Sequence, residues 1–188
     1  MSDSNIGARK NKNVRNHVWI VNGVLSDVLS SKTKHPIDVQ ILDFKQCFDG
    51  MWLKSCLNDI YESGMKDDSL ALLYNLNKNV NIAIRTPVGK TERKTIHNIV
   101  MQGDVFGSLL CSNQVDYFGK ECLEQNKYIY KYKGVLDIPP LGMVDDLLCI
   151  SECGHKTSMM NAFINHKSSS KKFQFGVEKC KKLHVGKT

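Results

Sequence analysis

Apolar positions along the chain follow two periods in alternation, one of three to four residues and one of two, and the switches between them mark out helices and strands. Val18, Val21, Val24, Leu25, Val28 and Leu29 lie on one face of a helix predicted over 17–30. Pro36 breaks the chain, and Ile37, Val39 and Ile41 then alternate as a strand over 37–44, with Asp43 near its C-terminal end. Helical spacing returns over 51–64 and stops at Gly64. A helix over 67–79 leads to strands at 80–85 and 94–101, a hairpin whose TPVGK turn is shaped by Pro87 and Gly89. Next come a long helix over 104–125 opening after Gly103, a strand over 127–135, a helix over 156–167 and a closing strand pair, FQFGVEK and KLHVG. Strands, hairpins and helices mixed in this order predict an α+β fold, an antiparallel sheet with helices on one face.

Against that pattern, the stretch PPLGMVDDLLCIS sets Asp145 and Asp146 inside an apolar run. An ionised carboxylate is costly to bury without a partner, so the pair needs a reason beyond folding. Leu141–Val144 and Leu147–Ile150 flank it as short strands, which predicts a hairpin with both carboxylates at its tip. With Asp43 at the end of a neighbouring strand, three carboxylates would converge and repel unless cations sat between them. Hard oxygen donors suit Mg²⁺. Two such ions about 3.5–4 Å apart serve in-line phosphoryl or nucleotidyl transfer. A lone DD also fits a solvated turn.

Composition narrows the setting. The 188 residues, 41% of them hydrophobic, suffice for one core or one core with a smaller lobe. No apolar run approaches membrane-spanning length, and the N-terminal residues carry no secretory signal, so an intracellular protein, nuclear or cytoplasmic, is expected. Seven cysteines, Cys47, Cys56, Cys111, Cys122, Cys149, Cys153 and Cys180, form an odd set without a CxxC pair, which argues for reduced thiols. Cys149, Cys153 and His155 do not have the spacing of a standard zinc site. His97 and His184 fall in strand-like stretches and read as structural. The net charge of +7 is uneven: residues 166–188 carry seven lysines against the single acid Glu178, and RKNKNVR at 9–15 is a second basic cluster. Such clusters favour a polyanionic partner, nucleic acid foremost, and equally fit a solvated lysine-rich face.

Four segments carry a resemblance. LDFKQCFDGMW (42–52), MQGDVFGSLL (101–110), GMVDDLL (142–148) and VEKCKKLHVGK (177–187) occur in the order and spacing of reverse transcriptase motifs A, B, C and D. They most resemble the reverse transcriptases, RNA-directed DNA polymerases, of non-LTR (LINE-type) retrotransposons. The N-terminal SNIGARKNKNVRNHVWIVNGV is similar to the basic fingers segment that precedes motif A. The resemblance covers nearly the whole chain. It implies a right-hand polymerase palm with partial fingers and no thumb: a partial fingers segment at 1–38, and a palm at 39–188 with an inserted fingers portion at about 65–100. Met143 stands where motif C usually has an aromatic residue, and Ser108 where motif B has proline.

The family's roles carry over by position. Asp43, Asp145 and Asp146 match the catalytic acids that hold two Mg²⁺ ions, with Mn²⁺ as a substitute. Lys179 matches the motif D lysine, a proton donor to departing pyrophosphate. Phe48 matches the aromatic residue that excludes a 2′-hydroxyl. Phe44, Gln102 and Gly103 fall in the nucleotide-binding segments of motifs A and B. Arg9, Lys10 and Arg15 fit contacts to nucleic acid. The partners implied are an RNA template, a DNA primer and dNTPs, with no membrane. Read without the resemblance, Phe48 fits a core position, Gly103 a helix start and Lys179 a solvated basic face. The expected function is addition of dNTPs to a primer 3′-hydroxyl; the alternative is a catalytically inactive, nucleic-acid-binding remnant. A signalling receiver domain fits poorly, because its acidic pair should come early in the chain.

Overall fold

The structure, a computed structural model, describes residues 5–186 apart from 8–9, 31–35, 46, 99, 102, 105, 126–127 and 153, and for Asp49 the backbone alone. Helix α1 (Val14–Ser30) precedes strand β1 (Ile37–Asp43), the single turn α2 (Cys47–Gly50), α3 (Leu53–Glu62) and α4 (Asp67–Asn77). Strands β2 (Asn79–Ile82), β3 (Arg85–Thr86), β4 (Gly89–Lys90) and β5 (Lys94–His97) form an arm. The chain continues through α5 (Gly107–Gln125), β6 (Tyr130–Tyr132), β7 (Leu136–Ile138), β8 (Leu141–Met143), β9 (Asp146–Glu152), α6 (His155–Ser170) and β10 (Lys181–Val185). Asn13 caps α1, its side-chain oxygen accepting from the Arg15 amide at 2.9 Å. Gly64, at φ 106, ends the α3 segment as the sequence predicts.

The central sheet has the order β10-β1-β9-β8, antiparallel throughout. Side chains alternate across β1. Ile37, Val39, Ile41 and Asp43 face one way; Asp38, Gln40 and Leu42 face the other. On the first face Val24 and Val28 of α1 pack on Ile37, Val39 and Ile150, with Tyr130 and Ile138 of the β6–β7 hairpin. On the second, α3, α5 and α6 enclose the larger core, where Leu147 and Cys149 of β9 meet Leu110, Phe118, Met160 and Ile164. Phe118 is wholly buried, which stabilises by roughly 1.5–3 kcal/mol. Helices therefore cover both faces of the sheet, not one as predicted, because α1 packs on the face that bears Asp43.

Three further differences have local causes. The predicted strand over 127–135 is the first arm of a hairpin, turned by Lys133 and Gly134 at φ 51 and 73. FQFGVEK is not a strand: Phe175 makes an isolated bridge with Phe44, and Phe173 and Phe175 both pack on the Phe44 ring. Only Asp145 stands at the hairpin tip; Asp146 is the first residue of β9.

Candidate active site

Asp43 ends β1 and Asp146 begins β9, and the two are directly paired across the strands. Opposed residues in an antiparallel pair share a face, with Cβ atoms about 4.5–5.5 Å apart. Asp145 belongs to the two-residue turn, Val144–Asp145, between Met143 and Asp146. Val144 takes φ 56, a left-handed conformation that costs a β-branched residue on the order of 1–3 kcal/mol. Its neighbours leave it little choice. Cys111 Sγ lies 3.5 Å from the Val144 carbonyl oxygen. Gly7 presses on the other side so closely that a Cβ there would come within 2.5 Å of the Val144 nitrogen. The Asn5–Gly7 segment also bonds along β8, the Ile6 amide donating to the Gly142 carbonyl at 3.0 Å.

Burial raises the pKa of Asp146, the charges of Asp145 and Asp43 add to the rise, and Lys179 opposes it. Oδ2 of Asp43 is shielded from solvent and accepts no hydrogen bond. The exposed Lys179 faces it, its Nζ 3.4 Å away as an ion pair. Lys179 is brought there by backbone: the Gly176 amide donates to the Asp43 carbonyl at 2.9 Å, and the Lys179 amide to Gly176 at 2.8 Å. Lys179 thus joins Asp43 and Asp146.

The remaining predicted residues distribute as follows. Phe48, half-buried on α2, lies against Gly107, where a Cβ would stand 3.5 Å from its ring and 2.8 Å from the Met101 carbonyl oxygen. The Met101 carbonyl is what requires glycine there; the ring stands at ordinary contact distance. Phe44 departs from the expected open position: its side chain is 2% exposed, stacked on Phe118 and Phe175 and tilted against Phe173, so its ring is part of the core. Gly103 has φ 88 in the turn before α5, and does not itself start the helix. Lys10 and Arg15 are exposed. Arg15 belongs to the first turn of α1, whose Val14 and Val18 line a cavity of about 300 Å³ together with Ile41, Met143 and Asp146. Arg9 and Gln102 lie outside the described residues. Sequence reasoning missed Gly107, although it falls within the motif B segment, and the Asn5–Gly7 segment, which carries no periodic signal.

Hard oxygen donors at Asp43, Asp145 and Asp146 suit a divalent cation, and Oδ2 of Asp43, which has the Lys179 ion pair but no hydrogen bond, is a donor such an ion would use. In this conformation no three histidine, cysteine or carboxylate side chains among the described residues are grouped to hold one ion.

No protein-family model matches the chain, and no curated protein does. Solved structures do. Telomerase from Candida tropicalis, in complex with a fragment of telomeric RNA, superposes with a TM-score of 0.65 at 13% identity over 95% of this chain and 30% of its own. The apo enzyme truncated of its C-terminal domain gives 0.64 at 14% identity over 97% of this chain and 37% of its own. Telomerase from Candida albicans, with the same kind of RNA fragment, gives 0.66 at 12% identity over 97% and 32%. The chain spans about a third of the length of these structures. At such identities the likeness establishes the fold alone: the chain has a mixed helix-and-sheet fold like that of telomerase, a reverse transcriptase relative.

Proposed function

We propose that this chain is the palm, with part of the fingers, of a reverse transcriptase of the non-LTR retrotransposon kind, adding deoxynucleotides to a primer 3′-hydroxyl on an RNA template. The observation that carries the reading is the cross-strand pair Asp43 and Asp146 at one end of the sheet, with Asp145 at the adjoining turn. The telomerase likeness supports it, since two of those structures contain RNA. Asp43, Asp145 and Asp146 would hold the metal ions. Bound Mg²⁺ would activate the attacking hydroxyl and stabilise the leaving oxygen.

The chain's own residues supply the rest. Lys179 stands beside Asp43 and can protonate departing pyrophosphate. Phe48, in contact with Gly107, would be the ring that excludes a 2′-hydroxyl and so selects deoxynucleotides. Lys10 and Arg15 offer exposed cations to phosphates, a salt-sensitive contribution.

Primer extension tests the reading, with the purified chain, a DNA primer on an RNA template, dNTPs and Mg²⁺ or Mn²⁺. Asp145→Ala is expected to lower addition to background while leaving the circular dichroism spectrum unchanged. Extension retained by that variant would overturn the mechanism. A second reading, a nucleic-acid-binding remnant without catalysis, is favoured by one observation: the three carboxylates are not gathered around one point. It predicts salt-sensitive template binding and no extension by the unaltered chain.

A further inference from the structure

Cys47 and Cys111 are remote in sequence and adjacent in space. Cys47 opens α2, just past Asp43, and Cys111 lies in the first turns of α5. Their sulfurs are 2.8 Å apart. That is within an ångström of the covalent S–S separation, about 2.05 Å. Both are buried, Cys111 completely. The proposed transfer chemistry uses neither thiol, yet both adjoin its site. Cys111 Sγ approaches the Val144 carbonyl, and Cys47 is close enough to Asp145 and Asp43 to feel their charge. Cys56, Cys122 and Cys149 are buried free thiols of the same core. No sulfur–sulfur contact of this closeness joins them among the described residues.

We propose that Cys47 and Cys111 form a dithiol oxidation site, closing into a disulfide that ties the segment after Asp43 to the helix behind the Val144–Asp145 turn. A peroxide is the oxidant. One thiolate attacks a peroxide oxygen, giving a sulfenic acid as the O–O bond breaks; the second sulfur then attacks the sulfenic sulfur and expels water. Two thiols and one hydrogen peroxide yield one disulfide and two waters, with sulfur oxidised and peroxide oxygen reduced. The S–H···S contact with Cys111 and burial hold the Cys47 thiol protonated, so attack awaits local opening. A lone turn such as α2 opens readily, since a helix that short has little of its own to hold it. Partner choice is set by proximity. The bond would close a loop over a sequence separation of 64, which restricts the unfolded chain and raises the thermal midpoint. It would also fix Asp43 relative to Asp145, a consequence for activity that rests on the polymerase reading; formation of the bond does not.

The test is peptide mapping of the full chain after hydrogen peroxide, with residual thiols capped by iodoacetamide and no reductant. The expected result is one cross-linked peptide joining Cys47 and Cys111, two hydrogens lost per chain, and a raised thermal midpoint that dithiothreitol restores. Cys47→Ser and Cys111→Ser should each abolish the link and the shift. Mapping of the unaltered chain decides by itself, even where a variant fails to fold. Oxygen added at these sulfurs without a link, pairing of either with another cysteine, or both remaining free while Cys180 oxidises would each overturn the proposal. None of these readouts requires nucleotide addition.

Discussion

Asp146 ionises near pH 3.9 in an unfolded chain, and burial beside Asp145 and Asp43 raises its pKa in the folded one. For a carboxyl raised on folding, the charged form costs stability at every pH above the folded value. That cost fades as pH falls towards the unfolded value. Asp146→Asn keeps the shape and removes the charge. It is expected to raise the thermal midpoint at pH 7 and to lose that advantage below about pH 3.9, as followed by circular dichroism. A midpoint at pH 7 equal to or below that of the parent would show that Asp146 carries no such cost. The sequence disclosed these carboxylates because charge inside an apolar run is anomalous wherever it occurs. It did not disclose Val144 in a left-handed turn, since valine is the wrong residue type for one. The contacts that hold that turn come from afar: Asn5, two residues before Gly7, bonds the Ser112 carbonyl across a separation of 107 residues.

At the scale of elements, β1, β10 and α6 meet at Asp38, on the sheet face opposite Asp43. His184 Nδ1 of β10 lies 3.0 Å from Asp38 Oδ1, and the Thr157 hydroxyl of α6 donates to Oδ2 at 2.8 Å. Ser151, cross-strand from Asp38, shares a hydrogen bond with Thr157 at 2.9 Å. Burial pushes the Asp38 carboxyl up, but the His184 and Thr157 hydrogen bonds and the Lys182 charge outweigh it, and its pKa lies below the usual value. The stability it contributes is therefore present above about pH 3.9 and is lost as pH falls through the folded value. Asp38→Asn should lower stability at pH 7 by about 1.5–3 kcal/mol, the range for a hydrogen bond to a charged group. It should also flatten the acid limb of a urea-denaturation series. An acid limb as steep as the parent's would place the clasp elsewhere. His184, read from sequence only as structural, takes part in this clasp. Long periodic segments, α1, α3, α4 and α5, were legible within a few residues. The hairpin β6–β7 was not, because KYKG is a weak turn signal, and α2 is too short to show a period. FQFGVEK alternates as a strand does, but its two phenylalanines close round Phe44 instead.

For the whole molecule, the +7 charge left the function open, and it was the order of four motifs that pointed to a reverse-transcriptase palm, of which the telomerase likeness supports the fold alone. The carboxylates of the site sit at the end of the sheet reached by the first turns of α1, whose Val14 and Val18 line a cavity with Met143 and Asp146, while the opposite face is filled by core. The arm β2–β5 contributes little to that core: Ile84 and Val88 are 66% and 97% exposed.

The two margins of the central sheet are unequal. Asn5 and Ile6 run along β8, whereas β10, KKLHV, has no strand beyond it among the described residues. An unpaired strand is a template for another copy of the same chain, and lysines along it are what discourage that docking. Lys181 and Lys182 are exposed beside Leu183, which is 59% exposed. Replacing both lysines by threonine should therefore make the sedimentation coefficient rise with concentration more steeply than the parent's. A coefficient with the parent's concentration dependence would show that these lysines do not discourage docking at β10.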